Sequence, residues 1–151
     1  MLAAARKIIS GDKVTRAGEF YGWRPTFYLG SQLKGKTLGI IGLGNIGKNL
    51  AKRARAFEMK VVYYSRTRKE DFEKEFDIEY LDKDEVIRSA DFLSLHTAFV
   101  PDLRHMISKK ELEMMKKSAI LINASRGPIV DEDALADALI ENVITVSYTH
   151  L

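Results

Sequence analysis

The 151-residue chain has no cysteine, which excludes disulfides, thiolate metal sites and thiol nucleophiles together. Its three histidines are scattered and make no metal cluster. No apolar run is long enough to span a bilayer. The opening Met-Leu-Ala-Ala-Ala-Arg-Lys lacks the basic-then-apolar order of a signal peptide. No tract has the composition of a disordered segment. These absences predict a soluble, cytoplasmic protein with no membrane partner. The formal net charge is +3, but the basic residues are spread among acids and form no aromatic-basic surface, so nucleic acid is not expected as a partner either. With 46% hydrophobic residues, the chain can bury a real core.

What is present is concentrated in residues 37–47, where an apolar, strand-like run feeds Gly42-Leu43-Gly44-Asn45-Ile46-Gly47 and then a helical pattern. In such a Gly-x-Gly-x-x-Gly turn, Gly42 allows the tight bend, Gly44 lets the backbone approach a pyrophosphate, and Gly47 lets helix and strand pack closely. The phosphates would sit on unpaired N–H groups at the helix start, around Gly44, Asn45 and Ile46, where the helix dipole favours an anion. Ile46, Leu50, Ala51, Ala54 and Phe57 read as one apolar helical face. A second strand is predicted at 60–64, completing one unit of a parallel sheet. Without a ligand, the same pattern is a glycine-rich structural turn.

The residues after that second strand bear on which dinucleotide is held. An NAD site usually has an acid there, about 20 residues past the glycines, for the ribose hydroxyls. This chain has Ser65-Arg66-Thr67-Arg68. Two guanidiniums and two hydroxyls suit a 2′-phosphate that a carboxylate would repel, which favours NADP and leaves NAD as the other candidate. The alternative is that Arg66 and Arg68 are solvated charges at a helix start, although helix N-termini normally gather acids.

Beyond the cradle, helices are predicted at 69–76, 83–89, 109–117 and 131–141, alternating with strands at 78–80, 91–96 and 119–123. Ser108 and Glu111 form a capping-box pattern, Leu135, Ala138 and Leu139 point inward, and Asn142 is a stop. This alternation implies an α/β, Rossmann-type doubly wound parallel sheet. Residues 1–36 differ: a helix at 2–10 is followed by an aromatic arm at 20–28 centred on Trp23, broken by Pro25, with little core of its own to enter. Such an arm is expected to pack on another domain or subunit. The divisions drawn are 1–36 as linker helix and arm, 37–145 as the dinucleotide-binding domain, and 146–151 as a tail.

Ala5-Arg6-Lys7-Ile8, Trp23-Arg24-Pro25, the segment 35–47, Ile122-Asn123-Ala124-Ser125-Arg126-Gly127 and Val130-Asp131-Glu132 together resemble the nucleotide-binding domain of the D-isomer-specific 2-hydroxyacid dehydrogenases. Residues 63–68 are most similar to glyoxylate/hydroxypyruvate reductases in that family. The resemblance implies reversible hydride transfer between a nicotinamide and small 2-oxo or 2-hydroxy acids, in a homodimer. It implies that Arg126 grips the substrate carboxylate as the catalytic residue, and that His96, Asn123 and Ser125 border the cofactor. The family's proton-donating His and its supporting Glu normally lie farther along the chain, with the substrate domain, so these residues alone are expected to bind cofactor without turnover. His105 matches a segment that reads as structural. Ala98 and Val100 depart from the family's usual Pro and Thr beside the adenosine pocket. Ser147-Tyr148-Thr149-His150-Leu151 does not match, and the tail is read as non-native in origin. A non-catalytic dinucleotide-binding or dimerisation module is the alternative.

Overall fold

The apolar runs pair into one sheet. The computed structural model describes residues 1–22 and 24–144, and the backbone of 146–149. Among the described residues, β1 (Thr37–Ile41), β2 (Lys60–Tyr64), β3 (Glu79–Tyr80), β4 (Phe92–Leu95), β5 (Ile120–Asn123) and β6 (Val146–Thr149) lie in the order β3-β2-β1-β4-β5-β6. Every neighbouring pair is parallel. The chain therefore winds outward from β1 in one direction and returns to wind from β4 in the other, and the crevice between β1 and β4 is where such sheets hold ligands.

Alternation along the strands divides the core in two. Leu38 and Ile40 of β1 face a cluster with Ala51 and Ala54 of α3 (Asn45–Ala56) and Phe72 of α4 (Glu70–Phe76). Ile41 faces the opposite cluster, with Val86 and Ile87 of α5 (Lys83–Ser89), Leu112 of α6 (Lys109–Met114), and Leu135 and Ala138 of α7 (Glu132–Ile140). Asp91 ties the amino-terminal ends together, accepting the Thr37 N–H at 2.8 Å and a Lys116 ammonium hydrogen bond at 3.2 Å.

Local chemistry sets most of the boundaries. The Glu111 carboxylate accepts the Ser108 N–H at 3.2 Å and its hydroxyl at 2.6 Å, closing the start of α6. Burial opposes its charge, but these bonds and Lys83 outweigh burial and hold it below the usual carboxylate range. Asp131 caps α7 by accepting the Ala134 N–H, and Asn142 takes a left-handed φ of 55° just past its end.

Three expectations need correction. The helix expected at 109–117 ends at Met114, because Met115 turns extended and enters the core. The helix expected at 2–10 is two, α1 (Leu2–Ala5) and α2 (Ile8–Arg16), separated by Lys7 at φ 53°. The Ala5 carbonyl that would continue α1 accepts the Ser31 N–H at 2.8 Å instead, with Gly30 packed against it. On α3 the buried stripe is Gly47, Ala51 and Ala54, whereas Ile46 and Phe57 are exposed, because the small residues let the helix close on β1. Trp23, Thr145, His150 and Leu151 lie outside the described residues.

Candidate functional site

Strand register brings the sequence-predicted residues to one edge. Ile41 pairs with Tyr64 on one side and Leu95 on the other, and Leu95 pairs with Asn123. Gly42, Ser65, His96 and Ala124 therefore leave the sheet at the same level, although more than 80 residues separate the first from the last.

The glycines of the turn do three different things. Gly42 has φ 99°, and a Cβ there would lie 2.8 Å from the His96 carbonyl and the Thr97 nitrogen. It is thus required by its own conformation and by the neighbouring loop. A Cβ on Gly47 would stand 2.5 Å from the Gly42 carbonyl oxygen, so the helix could not begin so close to the strand with any larger residue. Gly44 is the opposite case: a Cβ on it would meet nothing within 4 Å. It is the N-cap of α3, no side chain caps that end, and no acid lies in the first turn. Open space over uncapped N–H groups suits a bound anion.

The Ser65–Arg68 turn is less uniform than its sequence. Ser65 is half-buried, and Arg66 and Thr67 are exposed. Arg66 forms no hydrogen bond or ion pair among the described residues, but Arg68 forks onto Glu73, with Nε 3.1 Å from Oε1 and Nη2 2.8 Å from Oε2.

The loops after β4 and β5 supply the other wall. Asn123 is buried and its amide is spent on its own loop: Nδ2 donates to the Arg126 carbonyl at 2.9 Å, and Oδ1 accepts the Ser125 N–H at 3.0 Å. That brace presents Arg126, whose exposed guanidinium borders a 510 Å³ hollow with Thr97, Ala98, Phe99 and Pro128. The Arg126 loop is held from outside by the His105 N–H on the Pro128 carbonyl at 2.8 Å, which agrees with a structural part for the His105 segment. His96 Nε2 lies 2.9 Å from Ser94 Oγ, and burial pushes the imidazole below its ordinary range, favouring the neutral ring.

Among the described residues, three buried side-chain polar atoms have no partner: His96 Nδ1, Thr97 Oγ1 and Ser125 Oγ. Buried polar atoms are rarely left unbonded, and all three lie in the loops that follow β4 and β5, at the same sheet edge as the glycine turn. Together with the open seat at Gly44, they fit a polar ligand along this edge. Thr97 was missed in the sequence because it belongs to no motif; its only signal is its place directly after a predicted buried strand. Among the described residues, no group of three or more His, Asp or Glu side chains could hold a metal ion, and no helix is long and apolar enough to cross a membrane.

A parallel sheet with an uncapped glycine turn at its switch point defines a dinucleotide-binding domain of the Rossmann type. Comparison with known proteins is more specific: residues 1–149 match the model described as D-isomer specific 2-hydroxyacid dehydrogenase, NAD binding domain, and the chain belongs to that family. A glyoxylate reductase from Thermococcus litoralis is 51% identical over 148 residues, covering 95% of this chain and 45% of the relative. Among solved structures, a glyoxylate reductase from Paecilomyes thermophila superposes with a TM-score of 0.87 at 36% identity, over 99% of this chain and 44% of that one. The NAD-complexed D-isomer specific 2-hydroxyacid dehydrogenase from Lactobacillus delbrueckii ssp. bulgaricus gives 0.87 at 35% identity, over 98% and 45%. The chain thus spans about half the length of the relatives it matches.

Proposed function

We propose that this chain is the cofactor domain of a reductase that converts small 2-oxo acids, such as glyoxylate or hydroxypyruvate, to 2-hydroxy acids, with NADPH preferred over NADH. The observation that carries the reading is the meeting, at one sheet edge, of the open seat at Gly44, the Ser65–Arg68 turn and the exposed Arg126. The pyrophosphate rests on the backbone of Gly44, Asn45 and Ile46 between Gly42 and Gly47. Ser65, Arg66 and Thr67 face the 2′-phosphate with Arg68 at the rim, and His96, Asn123 and Ser125 border the remainder. The likeness to a curated glyoxylate reductase supports the substrate class.

When bound, the nicotinamide supplies the hydride. Arg126 grips the substrate carboxylate with paired hydrogen bonds and polarises the adjacent carbonyl. The alkoxide so formed needs a proton, and a positioned acid is commonly worth about 10² to 10⁴ in rate. Among the described residues, no carboxyl or imidazole group lines the hollow beside Arg126, and His96 is engaged by Ser94. We therefore assign protonation to a group other than the described residues, and expect these residues alone to bind cofactor without turnover at an enzyme's rate. The exposed Phe20, Tyr21 and Phe27 of the arm support a second copy of the chain as partner, in a homodimer that we assign to the cytoplasm.

Calorimetric titration with NADPH and NADH tests the cofactor reading, together with NADPH absorbance in the presence of glyoxylate and hydroxypyruvate. NADPH is expected to bind more tightly, with the difference reduced by Arg66→Ala and no appreciable turnover. Equal affinities, or robust turnover abolished by His96→Ala, would overturn the respective halves.

A further inference from the structure

The two arginines that follow β2 are in different electrostatic states. Arg68 makes a forked pair with Glu73, and its guanidinium carbon lies 5.6 Å over the Tyr80 ring. The Glu73 side chain is only 11% exposed. Its Oε1 also accepts the Tyr63 hydroxyl at 2.6 Å, and that hydroxyl in turn accepts the Lys69 N–H at 2.7 Å. Tyr63 is fully buried in the core, so the chain of bonds runs from the sheet through Tyr63 and Glu73 to Arg68, and through Tyr63 to the backbone where the turn re-enters α4. Burial, with the Glu73 bond adding to it, pushes the Tyr63 phenol up to about 12, so it remains a donor throughout the physiological range. Arg68 first, then the Tyr63 hydroxyl against the opposing effect of burial, holds Glu73 below the ordinary carboxylate range, so the carboxylate stays charged.

Arg66 has none of this. It is exposed and without a partner among the described residues. For Arg68 to turn to an external phosphate, it would have to leave a forked pair and strand a carboxylate that is largely out of water, which is unfavourable.

We propose that Glu73 is a specificity-determining residue of the 2′ pocket: it neutralises Arg68 and uses it as a brace for the turn, leaving Arg66 as the guanidinium that answers a 2′-phosphate. This rests on the dinucleotide reading above. It explains how a turn with two arginines presents only one available charge, and it predicts that discrimination for NADPH is held below what the sequence allows.

The test is titration of Glu73→Gln with NADPH, NADH and 2′,5′-ADP. Glutamine keeps the volume and an acceptor for Tyr63 but removes the charge. NADPH and 2′,5′-ADP are expected to bind about two- to five-fold more tightly, the range of an ion pair whose cation, like Arg68, stays exposed to solvent, with NADH changed less than about two-fold. Arg66→Ala should then cost less NADPH affinity in the Glu73→Gln background than in the unsubstituted chain, because Arg68 is released to substitute. With binding intact, an unchanged NADPH to NADH ratio would overturn this inference alone; failure of the unsubstituted chain to bind either dinucleotide would remove the cofactor reading and this one with it. Should Glu73→Gln disturb the fold, the arginine Nε–H resonances of the unsubstituted chain decide. NADPH is expected to move the Arg66 signal and leave that of Arg68 in place, and the reverse would refute the proposal.

Discussion

Replacing Gly44 by alanine should separate binding from folding more cleanly than any other change in this chain. The added methyl meets nothing within 4 Å and the backbone sits at φ −80°, where any residue is at ease. Losing glycine stiffens the unfolded chain and favours the fold by about 0.4–1 kcal/mol. Alanine is a poorer N-cap than glycine, which costs a comparable amount, about 0.5–1 kcal/mol. The two nearly cancel, so the melting temperature should stay within about 2 °C. Binding is another matter. On the proposed reading, the methyl would occupy the seat where the backbone receives a pyrophosphate, and forfeiting one charge-assisted hydrogen bond there would cost about 1.5–3 kcal/mol, or roughly ten- to a hundred-fold in affinity for NADPH and NADH alike. Gly42→Ala is the counterpart. Its methyl would stand 2.8 Å from the backbone of His96 and Thr97 at φ 99°, and strain together with displacement costs about 3 kcal/mol or more, a fall of roughly 6–12 °C. Thermal melts and calorimetric titrations of the two variants give both numbers. A Gly44→Ala chain that melts normally and binds both dinucleotides like its parent would refute the reasoning, since the phosphates would then lie elsewhere.

Two further outcomes follow from the geometry. The His96 imidazole is held below its ordinary range by burial, so the unfolded chain binds more protons than the fold as pH drops through about 6.5, and stability should fall between pH 7.5 and the lowered folded value, below which the loss is complete. The half-buried Met1 amine contributes in the same direction; denaturant midpoints at pH 7.5 and 5.5 should therefore show a smaller difference for His96→Gln than for the parent, and an identical difference would place the proton uptake elsewhere. In the arm, Tyr21 is 77% exposed and Phe27 packs on Phe20 and Tyr28 at 6.1 and 5.0 Å. Sedimentation should show a concentration-dependent dimer that Phe20→Ser with Tyr21→Ser weakens at least about ten-fold, whereas a parent that stays monomeric at high concentration would rule out the arm as a self-association surface.

The sheet was legible because its information is local and periodic. Runs such as 38–41 and 61–64 are apolar throughout, as buried parallel strands must be, and Gly42 and Gly47 announce a turn that other residues cannot make. The cap at Ser108 and the stop at Asn142 were readable for the same reason, since each depends on neighbours within a turn. What failed was decided at a distance. Nothing near residues 5–7 says that Ser31 will take the Ala5 carbonyl and split the first helix. Ile46 has the right period for the inner face of α3, and only the lack of room for a side chain on Gly47 beside the Gly42 carbonyl shows that the helix leans the other way.

The same limit governs the candidate site. Two arginines in one turn look equivalent in sequence, and what distinguishes them is a glutamate on the following helix that is itself oriented by a tyrosine from the sheet. Asn123 makes the point from the other side. A polar residue at the carboxyl end of a buried strand is selected either to touch a ligand or to hold the loop that does, and both tasks call for an amide. Only the bonds tell them apart: with both ends of the Asn123 amide already used between Ser125 and Arg126, its direct effect is on where the Arg126 guanidinium stands. Among the described residues, the buried atoms still open to a ligand are Ser125 Oγ beside it and, in the loop after β4, His96 Nδ1 and Thr97 Oγ1; of these, Thr97 does not announce itself in the sequence, because a lone hydroxyl outside any motif becomes informative only once burial has left it without a partner.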